Sequence, residues 1–128
     1  MIKIFQTDTS PETGNCFAAC VASILELDSI PDFKKIEDRD QWNEQIEKFL
    51  EPFGLWLHEF YCDNPDGFER IPGYSIQCGP VDDGVFHSVV AFDGKLVHDP
   101  FPGGDGINWV STAGVFVMKD PAKIAKGD

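Results

Sequence analysis

Cationic residues are scarce in this chain of 128 residues: ten Lys and Arg stand against 22 Asp and Glu, for a formal charge of −12 at pH 7. Such a surface repels phosphate backbones and anionic lipid headgroups. Nucleic acid and membranes are therefore poor partners, and a basic protein is the partner that this field favours. No apolar run approaches the length of a membrane span, and no basic, apolar and small-residue segments follow one another at the N-terminus. The expectation is a cytoplasmic protein. Cysteine is sparse as well: Cys16, Cys20, Cys62 and Cys78 are too few for a secreted disulfide scaffold and are expected to stay reduced. Neither Cys62 nor Cys78 has a neighbouring cysteine at zinc-site spacing. Cys16 and Cys20, four apart on a helix and joined by His87 or Asp99, make a poor zinc set, so no metal is expected. Repeats and low-complexity tracts are lacking. Gly103-Gly104-Asp105-Gly106 is followed by no helix signal and no phosphate-binding Lys, so it reads as a mobile turn, and no cofactor is expected.

What is present suffices for one core. The chain is 42% hydrophobic with 11 Phe, enough for a single domain over residues 1–128 without disulfides or metal. Met1–Phe5 alternates like a short strand, and Gln6–Gly14 is rich in turn formers. Asn15 or Thr13 can cap the next segment, Cys16–Leu25, which carries no charge and reads as a helix enclosed on several sides. Asp38 opens a second helix, amphipathic, with Trp42, Ile46, Phe49, Leu50 and Phe53 on one stripe. Strands are expected at Leu55–Tyr61, Gly73–Gln77 and Val115–Met118, with a loop over Asp63–Pro72 and a hairpin over Val85–Asp99 turning at Asp93-Gly94. Trp42, Trp56 and Trp109 read as core or core-edge aromatics. Helices first and antiparallel strands after make the class α+β.

Cys16 carries most of the functional signal. A thiol in the first turn of a buried helix faces unpaired N–H groups and the positive end of the helix dipole, both of which favour thiolate. It adjoins a Gly14-Asn15 loop, whereas Cys20, one turn on, reads as core. A thiolate nucleophile needs an imidazole within reach, and the imidazole needs an acceptor that fixes its tautomer. His87 and Asp99 lie on the two arms of the hairpin and suit those tasks. His58 and His98 read as surface residues. A developing oxyanion would take the Cys16 N–H and a side-chain amide, with Gln6 or Asn15 as candidates. If base and carboxylate are to share a face directly across the hairpin, the turn must be a three-residue loop of Phe92, Asp93 and Gly94 that pairs His87 with Asp99.

The run Gly-Asn-Cys-Phe-Ala-Ala-Cys at residues 14–20, with His-Ser-Val-Val at 87–90 and His-Asp-Pro at 98–100, resembles the papain-like cysteine peptidases. Its small bacterial and phage members, including those that cut double-glycine leaders, are the nearest in pattern. The resemblance implies a central helix packed on an antiparallel sheet, and a triad of Cys16, His87 and Asp99 acting on a peptide or protein amide. The oxyanion glutamine of that family lies closer to its cysteine than the ten-residue step from Gln6 to Cys16. Deamidation and acyl transfer use the same parts. A second expectation, of another class, is a catalytically silent fold of this kind that binds a basic protein.

Overall fold

A computed structural model of the protein describes residues 1–10, 14–61 and 71–125. The uncharged segment forms α1, Cys16–Leu25, with every residue from Ala18 to Ser23 buried. It stops where Glu26 turns left-handed, its N–H bonding Ala22 O. Ser23 is the one hydroxyl in the buried stretch, and it bonds Ala19 O at 2.8 Å and accepts from Ile4 N at 3.1 Å. Those bonds explain why Met1–Phe5 is not the expected strand. Ile2 N donates to Ser23 O and Ile4 N to Ser23 Oγ, so the segment's amides are taken by the helix and not by a neighbouring strand.

Helix α2 spans Arg39–Leu50, capped as expected by Asp38, whose carboxylate accepts from Gln41 N. Ile46 and Leu50 of its stripe are buried, and Trp42 and Phe49 close an aromatic cluster with Phe17 and Phe33. Phe53 departs from the stripe, because Pro52 ends the helix in a 3-10 turn over Glu51–Phe53 that leaves its ring exposed.

Five strands make one antiparallel sheet: β1 Leu55–Tyr61, β2 Tyr74–Pro80, β3 Phe86–Phe92, β4 Lys95–His98 and β5 Thr112–Met118, in the order β1-β5-β2-β3-β4. Helix α1 packs on β3 and β2, and α2 packs on β1. Cys20 and Val21 of α1 meet Ile76 and Val90 of the sheet in the core. The protein is thus α+β, with two helices on an antiparallel sheet. Strand β2 runs three residues beyond its expected end, and β5 starts three residues early, because each continues along its partner's ladder. Trp56 and Trp109 are exposed, so only Trp42 fits the expected core role. Positions 63–70 of the expected Asp63–Pro72 loop, Thr13 and Cys62 lie outside the described residues.

The β3–β4 hairpin corrects the expected register. Phe92 pairs with Lys95 around a two-residue turn, Asp93-Gly94, in which both residues have positive φ (51° and 82°). That is the type I′ geometry whose twist matches the strands, and it prevails over the three-residue loop. A two-residue turn alone would place His87 and Asp99 on opposite faces. The ladder then slips: Ala91 pairs with Leu96 but Val90 with His98, which leaves Val97 as an extra residue in a bulge. The bulge reverses the parity once more. Continued by one step, the register sets Asp99 opposite Val89, on the side of the sheet where His87 lies, so the two meet diagonally.

Candidate active site

Cys16 is the first residue of α1, and its position is fixed by the loop before it. Asn15 occupies the cap position, yet its side chain makes no cap bond to the helix. Instead Asn15 Oδ1 accepts from Thr7 N and Asp8 N at 3.2 and 3.1 Å, and Nδ2 donates to Thr7 Oγ1 at 2.8 Å. The amide that was a candidate for the oxyanion is therefore spent on tying residues 7–8 to the helix start. The first-turn N–H groups of α1 keep no side-chain acceptor from Asn15, and the sulfur sits beside them.

His87 stands in the second position of β3 and is 9% exposed. Its Nε2 lies 2.6 Å from Asp99 Oδ1. A carboxylate only accepts, so Nε2 carries the proton and Nδ1 is the ring nitrogen left for Cys16, whose titration is coupled to that of the imidazole. Asp99 is anchored in turn. Its Oδ1 also accepts from Phe101 N at 2.9 Å, and Oδ2 accepts from Gly106 N at 2.8 Å. The Gly103–Gly106 run, expected to be a mobile turn, wraps this carboxylate. At Gly104 the wrap is so close that a Cβ would sit 2.7 Å from Asp99 Cγ. The signal was present in the sequence as glycines four to seven residues after Asp99, but only as a pattern without a purpose.

The electrostatics follow from burial set against pairing. Burial pushes the Cys16 pKa up, but the hydrogen bond and charge of His87, with hydrogen bonds from Ser88, outweigh it and leave the thiol below its ordinary value. For His87 burial favours the neutral ring, while the bonds and charges of Cys16 and Asp99 win and raise its pKa. Both shifts favour the thiolate–imidazolium pair. Cys20, fully buried, is pushed well up by desolvation.

Cys16, His87 and Asp99 line one cavity of about 510 Å³, walled by Gln6, Phe86 and Phe101 among others. Gln6 reaches it from the N-terminal segment: its backbone N–H bonds Pro100 O and its Nε2 donates to Asp8 O at 3.0 Å. Its Oε1 is buried and has no partner among the described residues. All four candidate residues thus border the same space. A slightly larger cavity of about 540 Å³, beside Leu27–Phe33 and α2, has neither cysteine nor histidine in its walls. His98 is not at the surface as expected. It is buried, with Nε2 2.7 Å from Ile4 O and Phe5 edge-on to its ring, and it pins the N-terminal segment. His58 is exposed on β1, away from the cavity.

No family model, curated protein or solved structure matches the chain. Among the described residues no group of three or more His, Cys, Asp and Glu side chains is arranged to hold a metal ion. No described helix is long and apolar enough to cross a membrane.

Proposed function

We propose that the protein is a cysteine-dependent amide hydrolase with a papain-like arrangement, acting on a peptide or protein substrate. The observation that carries this reading is one imidazole held between a carboxylate at 2.6 Å and a helix-start thiol whose pKa is lowered. Cys16 Sγ attacks the amide carbon, forming the S–C bond of a tetrahedral intermediate. Its oxyanion is met by the Cys16 N–H and by Gln6, whose Nε2 carries two protons and gives only one to Asp8 O. His87 then protonates the departing amine, the C–N bond breaks, and a thioester remains. Water, deprotonated by His87, hydrolyses the thioester and regenerates the thiol. Asp99 holds the ring in the tautomer that these steps need and stabilises imidazolium. Free Cys16, Cys20 and Cys78 suit a reducing, cytoplasmic setting.

A formal charge of −12 favours a second reading, in which the same fold binds a basic protein without chemistry. Acylation separates the two. With p-nitrophenyl acetate, the hydrolase releases nitrophenol in a burst and carries a transient acetyl on Cys16, located by peptide mass spectrometry. Cys16→Ala abolishes both. Nitrophenol release from Cys16→Ala as fast as from the wild type would overturn the hydrolase reading in favour of the binder.

A further inference from the structure

The N-terminal segment runs between the two elements that carry the site. Ile4 N donates to Ser23 Oγ of α1 at 3.1 Å, and Ile4 O accepts from His98 Nε2 at the end of β4 at 2.7 Å. Ile4 is thus clamped between the helix that Cys16 opens and the strand that leads into Asp99. A carbonyl only accepts, so His98 Nε2 carries a proton. The ring is 4% exposed, with the Phe5 ring edge-on to it at 5.0 Å. Two residues after Ile4, Gln6 N donates to Pro100 O at 2.9 Å, and the Gln6 side chain borders the cavity of Cys16 and His87. Its amide stands at the start of α1, because Asp8 O accepts from both Gln6 Nε2 at 3.0 Å and Asn15 N at 3.1 Å. Among the described residues that Nε2 bond is the only one the side chain makes, since Oε1 has no partner. The backbone that carries Gln6 therefore decides where its amide stands.

We propose that His98 is a positioning residue which, by holding Ile4 O, sets the Gln6 amide beside the start of α1 to receive the oxyanion. This inference rests on the hydrolase reading, with Gln6 as an oxyanion donor. Such a donor helps only if it is in place before the charge develops, and a misplacement of about 1 Å can cost on the order of a hundredfold in rate. His98 reaches Gln6 through Ile4 and two steps of backbone. Without the imidazole, Ile4 O keeps only a longer contact with Ser23 Oγ at 3.3 Å, and that hydroxyl's proton goes to Ala19 O at 2.8 Å. The segment is then free to shift, and Gln6 with it. Two neighbours at the end of the hairpin thus serve the two halves of the site: Asp99 holds the imidazole of His87, and His98 holds the segment that ends in the amide.

The test uses the full chain and p-nitrophenyl acetate, and reads the rate of the nitrophenol burst against ester concentration. Gln6→Ala lowers the saturating burst rate about a hundredfold. His98→Ala lowers it by about tenfold or more, though by no more than Gln6→Ala does, and leaves the half-saturating concentration unchanged. His98→Gln, whose amide nitrogen can stand where Nε2 stood, restores it. Added to Gln6→Ala, His98→Ala costs nothing further, because the group it positions is already gone. Alkylation of Cys16 by iodoacetamide, a displacement that builds no oxyanion, keeps the wild-type rate in His98→Ala. A burst at the wild-type rate in either Gln6→Ala or His98→Ala overturns the proposal. So does alkylation slowed in step with the burst, since His98→Ala would then be acting through Asp99. Should His98→Ala fail to fold, His98→Met, which fills the space of the ring without a donor, takes its place with the same outcomes. A wild type that carries no acetyl on Cys16 would instead refute the hydrolase reading, and this inference with it.

Discussion

Gly104→Ala separates a constructed triad from three polar residues that happen to be near one another. An alanine Cβ there would lie 2.7 Å from Asp99 Cγ and 3.1 Å from Oδ1, and closer still to Oδ2. Ordinary carbon contacts need about 3.5 Å or more, so the carboxylate must retreat by on the order of 1 Å. Oδ1 now stands 2.6 Å from His87 Nε2 and 2.9 Å from Phe101 N, and Oδ2 2.8 Å from Gly106 N. A retreat of that size takes at least one of these bonds out of range. A hydrogen bond to a charged group is worth about 1.5–3 kcal/mol, so the fold should lose roughly 2 kcal/mol. Gly103→Ala is the control. Gly103 has φ of 79° and nothing within 4 Å of a built Cβ, so that substitution costs backbone strain of about 1 kcal/mol and leaves Asp99 alone. Urea unfolding gives the stabilities, and the rate of Cys16 alkylation near neutral pH reports the imidazole. Gly104→Ala should be the less stable of the two and the only one with slowed alkylation. Equal alkylation rates in the two variants would refute the claim that Asp99 orients His87.

Asn15→Ala removes an acceptor of two backbone N–H groups and a donor to Thr7, and should cost about 1–2 kcal/mol in urea unfolding while slowing Cys16 alkylation through a displaced helix start. Cys20→Ala, a small truncation at a fully buried site, should cost on the order of 1 kcal/mol and leave the nitrophenyl ester burst unchanged. Stability should also depend on pH through His87. Its pKa is raised above the ordinary 6.5, so its contribution is complete below that value and is lost as pH rises through the folded pKa. Unfolding free energies of the wild type and His87→Ala, measured across that window, should converge on its alkaline side.

The sequence carried the parts of this site better than their placement. Cys16 was legible because an uncharged run after Gly14-Asn15 has one reading, a buried helix, and a thiol at its start has one unusual consequence. Helix α1 and strand β1 fall within their expected limits for the same reason: composition and breakers coincide there. The register of the hairpin was not legible. Type I′ chemistry at Asp93-Gly94 and a shared face for His87 and Asp99 are incompatible in a regular ladder, and no turn or breaker residue marks the bulge at Val97 that reconciles them. His98 read as a surface residue because its partner, Ile4 O, is 94 positions away in the chain. The Gly103–Gly106 run had no visible purpose until Asp99 was seen inside it.

The most direct test of the nucleophile is the pH dependence of Cys16 alkylation in the wild type and in His87→Ala, resolved from Cys20 and Cys78 by peptide mass spectrometry. The Cys16 pKa is lowered from 9.0 chiefly by His87 acting against burial. The wild type should therefore react at Cys16 with an inflection below that pH, while Cys20 and Cys78 stay inert. His87→Ala should move the Cys16 inflection up to or beyond the ordinary thiol value. A single wild-type inflection near 9.0, unmoved by His87→Ala, would contradict the thiolate–imidazolium pair.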